Sequence, residues 1–105
     1  MILELAQLTI GHGTCDEFEA AFGQAAPLIA SIPGYLSHEL RRCLEVSNRY
    51  VLLVKWKTIE AHTVGFRQSE QYKRWRDLLH HFYEPFPVVE HYGSPLFEEF
   101  KRAPD

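Results

Sequence analysis

Apolar residues recur at two different spacings along the 105 residues of this chain, and the switches between them outline its elements. Branched apolar side chains from Ile2 to Ile10 predict a strand, bounded by Gly11-His12-Gly13. Phe18, Phe22, Ala25, Ala26 and Ile29 then fall at helical spacing, which predicts a helix with one buried stripe. Thr14 and Glu17 have the spacing of a capping box at its start, and Asp16 adds acid to the positive end of the helix dipole. Ile32-Pro33-Gly34 ends it, because the proline ring cannot continue a helix and glycine accepts a tight turn.

The half-polar segment Tyr35 to Cys43 and the apolar Arg49 to Lys57 predict a hairpin turned by Ser47-Asn48-Arg49. Thr58 caps a second helix with Ile59, His62 and Phe66 on one face. Gly65 to Ser69 predicts a break, after which Ser69 restarts the helix. Tyr72, Trp75, Leu79 and Phe82, with Leu78, form its buried stripe, and Pro85 and Pro87 stop it. Val88 to Tyr92 is the last strand. The domain therefore spans residues 1–93, with a tail over 94–105 and no internal repeat.

The order β-α-β-β-α-β predicts an α+β, ferredoxin-like antiparallel sheet with helices on one face. The third strand adds a constraint. In YVLLVKW, Tyr50, Leu52, Val54 and Trp56 share one face, while Val51 and Leu53 stand on the other. A strand apolar on both faces needs cover on both, and two helices supply only one layer. The expectation is a homodimer packing sheet against sheet, with Leu96, Phe97 and Phe100 of the tail packing on the partner.

Composition narrows the function classes. A 105-residue chain forms one domain and buries only about 65% of its unfolded surface, so burial by a partner is a natural supplement. Hydrophobic content of 46% with 24% charged and 13% aromatic residues is globular composition and argues against disorder. A net charge of −3 with scattered basic residues provides no stripe for nucleic acid. The first ten residues carry a glutamate and no basic region, which argues against a signal peptide, and the run Tyr50–Val54 is too short to span a bilayer. Cys15 and Cys43 lie far apart with no Cys-x-x-Cys and read as free thiols, so the expected setting is the cytoplasm.

Candidate chemistry centres on KWKTIEAHTVGFRQSEQYKRW, residues 55–75, which places a histidine and an arginine among aromatics. His62 fits two descriptions: a histidine satisfied at the helix–sheet interface, or a general base in an apolar pocket with a near-neutral pKa. Arg67, in the helical break, could steady an oxyanion or lie over Phe66 as a surface arginine. Trp56, Phe66, Tyr72 and Trp75 serve as core aromatics or as the wall of a ligand site. His38 and Arg41, three positions apart on one strand, face opposite ways, so at most one reaches a given pocket. His80 and His81 read as a solvated helix end. Cys15, near a helix start, reads as an exposed thiol. No two of the six histidines sit at metal-ligand spacing, and no phosphate loop, Gly-x-Ser-x-Gly or dinucleotide fingerprint occurs, so no cofactor is signalled.

The stretch FEAAFGQAAPLIASIPGYLSHELRRCLEVSNRYVLLVKWKTIEAH, followed by FRQSEQYKRW and PFPVVEHY, resembles the antibiotic biosynthesis monooxygenase family of dimeric α+β barrel proteins over about residues 2–92. Proline-glycine opens the second strand, a tryptophan closes the third, Glu-Ala follows in the next helix, and a serine with an aromatic comes soon after. The resemblance implies a homodimer with a pocket between sheet and helices in each subunit. It also implies oxidation of quinols or aromatic polyketides by molecular oxygen without flavin or metal. Many members carry a histidine where this chain has Gly65-Phe66, so His62 is a candidate on its own surroundings only. The haem-degrading branch uses asparagine, tryptophan and histidine near positions held here by Ala6, Phe66 and Arg76, which disfavours that role. The leading expectation is a cofactor-independent monooxygenase acting on a small aromatic or quinol-like ligand, with His62 and Arg67 catalytic and His38, Trp56, Phe66, Tyr72 and Trp75 binding substrate. The alternatives are a non-catalytic ligand-binding or stress-associated barrel, and an acid–base isomerase or decarboxylase.

Overall fold

The computed structural model of the chain describes residues 1–97 and 100–104. Four strands, β1 (Ile2–Thr9), β2 (Tyr35–Arg42), β3 (Arg49–Trp56) and β4 (Val89–Tyr92), form one antiparallel sheet in the order β2-β3-β1-β4. Helices α1 (Cys15–Ala30) and α2 (Glu70–Leu79) pack on each other, and α1 packs on β2. This is the expected ferredoxin-like α+β architecture. Among the described residues, no helix is long and apolar enough to cross a membrane.

The core lies between helices and sheet. Leu8 and Ile10 of β1 and its extension, Tyr50, Leu52, Val54 and Trp56 of β3, and Phe18, Phe22 and Ile29 of α1 are all buried. The α1 stripe differs from the sequence expectation at one position: Leu28 is buried, whereas Ala26 is only half-buried. Pro27 lies inside α1, one turn before its end, where it removes a single helical donor. Thr14 does occupy the N-cap, but the capping box does not form. Its hydroxyl donates to the Gly11 carbonyl at 2.7 Å and makes no bond to the helix. The Gly11–Thr14 turn captures the hydroxyl first.

The second helical segment behaves as its sequence predicts, with one added feature. Thr58 Oγ1 accepts the amide of Ala61 at 3.2 Å. Residues Ala61–Phe66 then form a π-helical turn, in which the Arg67 amide bonds to the His62 carbonyl five residues back at 3.2 Å. Ser69 restarts the chain as α2 by accepting the Tyr72 amide at 3.0 Å. Gly34, at φ +92°, opens β2, and its carbonyl accepts the Lys57 amide at 2.8 Å. A Cβ on Gly34 would stand 2.6 Å from the Ala61 Cβ, so the π-turn sits directly on this glycine.

Strand β3 is apolar on both faces, as expected. On the face away from the helices, Leu5 pairs with Leu53 and Gln7 with Val51, with Leu3 beside them, and all but Gln7 are half-buried. The tail side chains of Leu96, Phe97 and Phe100 are almost fully exposed, and Glu98, Glu99 and Asp105 of the tail lie outside the described residues.

Candidate functional site

Alternation along ILELAQLT puts Glu4, Ala6 and Leu8 on the helix-facing side of β1. Two of these break the core pattern: Glu4 is a charge, and Ala6 is too small to fill its space. Opposite them, where the π-turn precedes the start of α2 at Glu70, lies a cavity of about 420 Å³ lined by His62 and Phe66 of that turn. That is within the range of small-molecule sites.

The aromatic wall comes from the helical side. Phe66, at the end of the π-turn, meets Tyr72 edge-on at 5.1 Å between ring centroids and Trp75 at 5.5 Å. The far rim comes from the segment after α2. The chain tightens into a 3₁₀ turn at His80–Phe82, and Tyr83 forms a bridge with Ile10. The Glu84 amide bonds to the Thr9 carbonyl at 2.7 Å. This pins His80, Tyr83, Phe86 and Pro87 over the cavity. Burial raises the phenol pKa of Tyr83 and lowers that of the His80 imidazole. His80 is thus not the solvated helix-end residue that its sequence neighbourhood suggests. The helix stops at Leu79, and the tight turn swings His80 inward against Tyr72, Tyr83 and Phe86. His81 is exposed, as expected.

The polar end of the cavity is a linked set of four side chains. Glu4 is only 4% exposed, and its Oε1 accepts the indole Nε1–H of the fully buried Trp56 at 2.9 Å. His62 Nε2 lies 3.4 Å from the same oxygen. On the other side of the imidazole, His62 Nδ1 shares a hydrogen bond of 2.7 Å with Nε2 of His91 on β4. Two nitrogens so close, one donating to the other, sit nearer together than two ligands of a tetrahedral zinc about 2.0–2.1 Å from each would. Among the described residues, no group of three or more acidic, cysteine or histidine side chains is arranged to hold a metal ion.

Burial governs the charges here. Desolvation raises the Glu4 carboxyl pKa, against the opposing pull of the Trp56 hydrogen bond and the Arg67 charge. It lowers His62 to about 3, with Arg67 and His91 acting in the same direction. His91 is lowered by the same burial and by Arg67. His62 is therefore a neutral imidazole at physiological pH. The expectation of a near-neutral histidine pKa is corrected, because the ring is 3% exposed, and the Arg67 charge adds to the effect of burial.

Of the residues singled out from sequence, His62, Phe66, Arg67, Tyr72 and Trp75 line this one cavity. Trp56 stands behind it, stacked on His62 and bonded to Glu4. His38 is elsewhere: its ring packs against Phe22 at 5.8 Å, and its Nδ1 shares a 2.5 Å hydrogen bond with the Tyr35 hydroxyl. It does face the helices, while Arg41 faces the other way and pairs with Glu39. Glu4, His91, His80 and Tyr83 are additions that the structure makes. Glu4 had a signal available, since any register that buries Leu8 and Ala6 also buries Glu4.

The Antibiotic biosynthesis monooxygenase family model matches residues 1–78. The chain belongs to this family. It is 52% identical over 92 residues to the uncharacterized protein YczJ of Bacillus subtilis (strain 168), covering 88% of this chain and 97% of that protein. A solved structure from Bordetella bronchiseptica, provisionally named an antibiotic biosynthesis monooxygenase, superposes with a TM-score of 0.85. It is 36% identical, covering 90% of this chain and 97% of its own. SnoaB of Streptomyces nogalater, a cofactor-independent oxygenase, shares the fold with a TM-score of 0.75. Its identity is 22%, over 91% of this chain and 94% of its own.

Proposed function

We propose that this chain is a cofactor-independent monooxygenase that oxidises a quinol or polycyclic phenol with molecular oxygen. The observation that carries the proposal is one cavity with an aromatic wall and an ionisable end formed by Glu4, His62 and Arg67. Family membership and the fold shared with SnoaB support it. The aromatic wall suits a flat hydrophobic substrate, and the buried end suits proton transfer in a dry space.

An anthrone illustrates the chemistry. Its ring methylene loses a proton to a base, and the electron pair spreads onto the neighbouring oxygen. Arg67 steadies that anion. The anion passes an electron to oxygen, the two radicals combine through a C–O bond, and the peroxide takes a proton. Loss of the remaining methylene proton with cleavage of the O–O bond gives a quinone carbonyl and water. The balance is R₂CH₂ + O₂ → R₂C=O + H₂O, so the substrate supplies all four electrons.

Two further inferences belong with this one. The uncovered apolar face at Leu3, Leu5, Val51 and Leu53 supports a homodimer closed sheet to sheet, with the tail of each copy on its partner. The free thiols Cys15 and Cys43 accord with a cytoplasmic setting.

The test is oxygen uptake by the purified protein, with metal and flavin content measured, over a panel of quinols and anthrones. Uptake above the autoxidation blank, with one labelled atom of ¹⁸O₂ in the product carbonyl, is expected. Arg67→Gln lowers the rate by about 10²-fold if the guanidinium steadies the anion. Binding without uptake would instead favour a ligand-binding barrel or an acid–base isomerase.

A further inference from the structure

We propose that Glu4 is the group that takes the substrate's proton, and that His62 is a positioning residue that holds the Glu4 carboxylate in place. The proposal deepens the oxygenase reading, and it rests on that reading only for the oxygen steps after the proton has moved.

The geometry separates the two residues. Both ring nitrogens of His62 are turned toward protein partners: Nδ1 to His91 at 2.7 Å, and Nε2 to Glu4 at 3.4 Å. In the tautomer that carries its hydrogen on Nε2, beside Glu4, the Nδ1 lone pair is taken by His91 and none is left for a ligand. Glu4 meets Trp56 and His62 through one oxygen, Oε1, which leaves Oε2 outside both contacts on a residue that lines the cavity. A buried carboxylate with one oxygen anchored and the other facing a substrate space is arranged as a general base. The anchoring itself is rigid, since Trp56 is fully buried and His62 is fixed by both the π-turn and β4.

The charged and titratable groups around Glu4 set its working range. Trp56 Nε1–H and Arg67 favour the carboxylate, while burial opposes it more strongly, so the carboxyl titrates above its ordinary value. His62 and His91 remain neutral beside it, and Tyr83 stands protonated across the cavity. In the reaction, Glu4 accepts the methylene proton as the substrate carbanion forms, then returns it to the peroxide. No external acid is consumed.

The experiment separates proton transfer from oxygen chemistry. Anthrone is incubated with the full chain in heavy water without oxygen, and loss of the methylene proton signal is followed by NMR. Wild type exchanges faster than buffer, with a rate that rises with pH through one ionisation. Glu4→Gln loses about 10²- to 10⁴-fold in exchange rate together with that pH limb. His62→Gln, whose amide can still reach Glu4 and His91, keeps the limb and loses much less. Should Glu4→Gln not fold by its circular dichroism, Glu4→Asp replaces it, with slower exchange and a displaced limb expected. Exchange surviving in Glu4→Gln, or lost only in His62→Gln, overturns the proposal, as does a wild type that does not exchange anthrone. Admitting oxygen then tests the other reading. Exchange without uptake leaves Glu4 as the base of an isomerase, whereas uptake that survives in Glu4→Gln keeps the oxygenase and removes Glu4.

Discussion

The imidazole of His62 lies almost parallel to the indole of Trp56, 5.4 Å between ring centroids and 21° between planes; the indole donates to Oε1 of Glu4 at 2.9 Å, and His62 Nε2 lies 3.4 Å from the same oxygen. The stack joins the end of β3 to the π-turn, and the carboxylate joins both to β1. One buried charge thus ties together three segments far apart in sequence. Removing a partner leaves that charge less satisfied, which costs more than the contact itself contributes.

Trp56→Phe removes the Nε1–H donor and keeps an aromatic on His62. The loss of a hydrogen bond to a buried carboxylate costs about 1.5–3 kcal/mol, apart from the space left by the smaller ring. A double-mutant cycle with Glu4→Leu, which has no acceptor, isolates the bond, because the ring-size cost is common to both backgrounds. Urea unfolding at neutral pH should give a favourable coupling between the two positions. A coupling indistinguishable from zero would mean that the indole and the carboxylate do not interact.

Stability should fall as the solution becomes acidic, and His62 should account for much of it. Its folded pKa of about 3 lies below its ordinary value of 6.5. Between those values the unfolded chain binds a proton that the native chain does not, so stability decreases as pH falls through the window. His38, His80 and His91 are lowered too and act with the same sign. Glu4 acts with the opposite sign: its raised folded pKa means that the native state holds a proton longer than the unfolded state, so its contribution falls as pH rises. Urea midpoints at about pH 7 and about pH 5 should therefore differ less for His62→Gln than for wild type, and more for Glu4→Gln. One proton sets a limit of about 1.4 kcal/mol per pH unit. Equal slopes in all three proteins would contradict the sign assignment.

The fold was legible because each element carries its own periodic or capping signal. Phe18, Phe22 and Ile29 spell out α1, Ser69 restarts α2, and the two-sided apolar pattern of β3 marks a central strand. The aromatic half of the site was legible for the same reason, since Phe66, Tyr72 and Trp75 are one helical stripe interrupted by a break. The polar half was not. Glu4, His62 and His91 meet only through the pairing of β1 with β4 and the wide π-turn, neither of which a local pattern encodes. In MILELAQLTI the glutamate stands out only as an isolated charge, although strand register alone puts it in the core. His38 is the converse case: its strand faces the helices beside α1, away from the cavity.

A sheet-to-sheet homodimer can be tested without knowledge of any substrate. Leu53 faces away from the helices and lies opposite Leu5 in the β1–β3 ladder. Sedimentation of the wild type should give twice the 12.2 kDa chain mass. Leu53→Lys would place an unpartnered charge in the middle of the proposed seam and should give a monomer with helical content preserved. A monomeric wild type, or a dimer untouched by Leu53→Lys, would move the interface off this face.

Gly34 should be intolerant of any side chain, for two separable reasons. Its φ of +92° is a conformation that residues with a Cβ adopt only under strain, and an added Cβ would meet the Ala61 Cβ at 2.6 Å. Because Ala61 begins the π-turn, the clash pushes directly on the segment that carries His62. Gly34→Ala should therefore destabilise the protein by about 2 kcal/mol or more, and should also weaken ligand binding in the cavity. Ala61→Gly on its own removes a half-buried methyl from the π-turn at a cost of about 1 kcal/mol. In the double variant the steric conflict is gone and only the backbone strain remains, so Gly34→Ala should cost less in the Ala61→Gly background than in wild type. The difference, read from urea midpoints, measures the contact between the two residues. Recovery of ligand affinity in the double variant would tie that contact to the placement of the π-turn; a full additive loss would show that backbone strain at residue 34 acts alone.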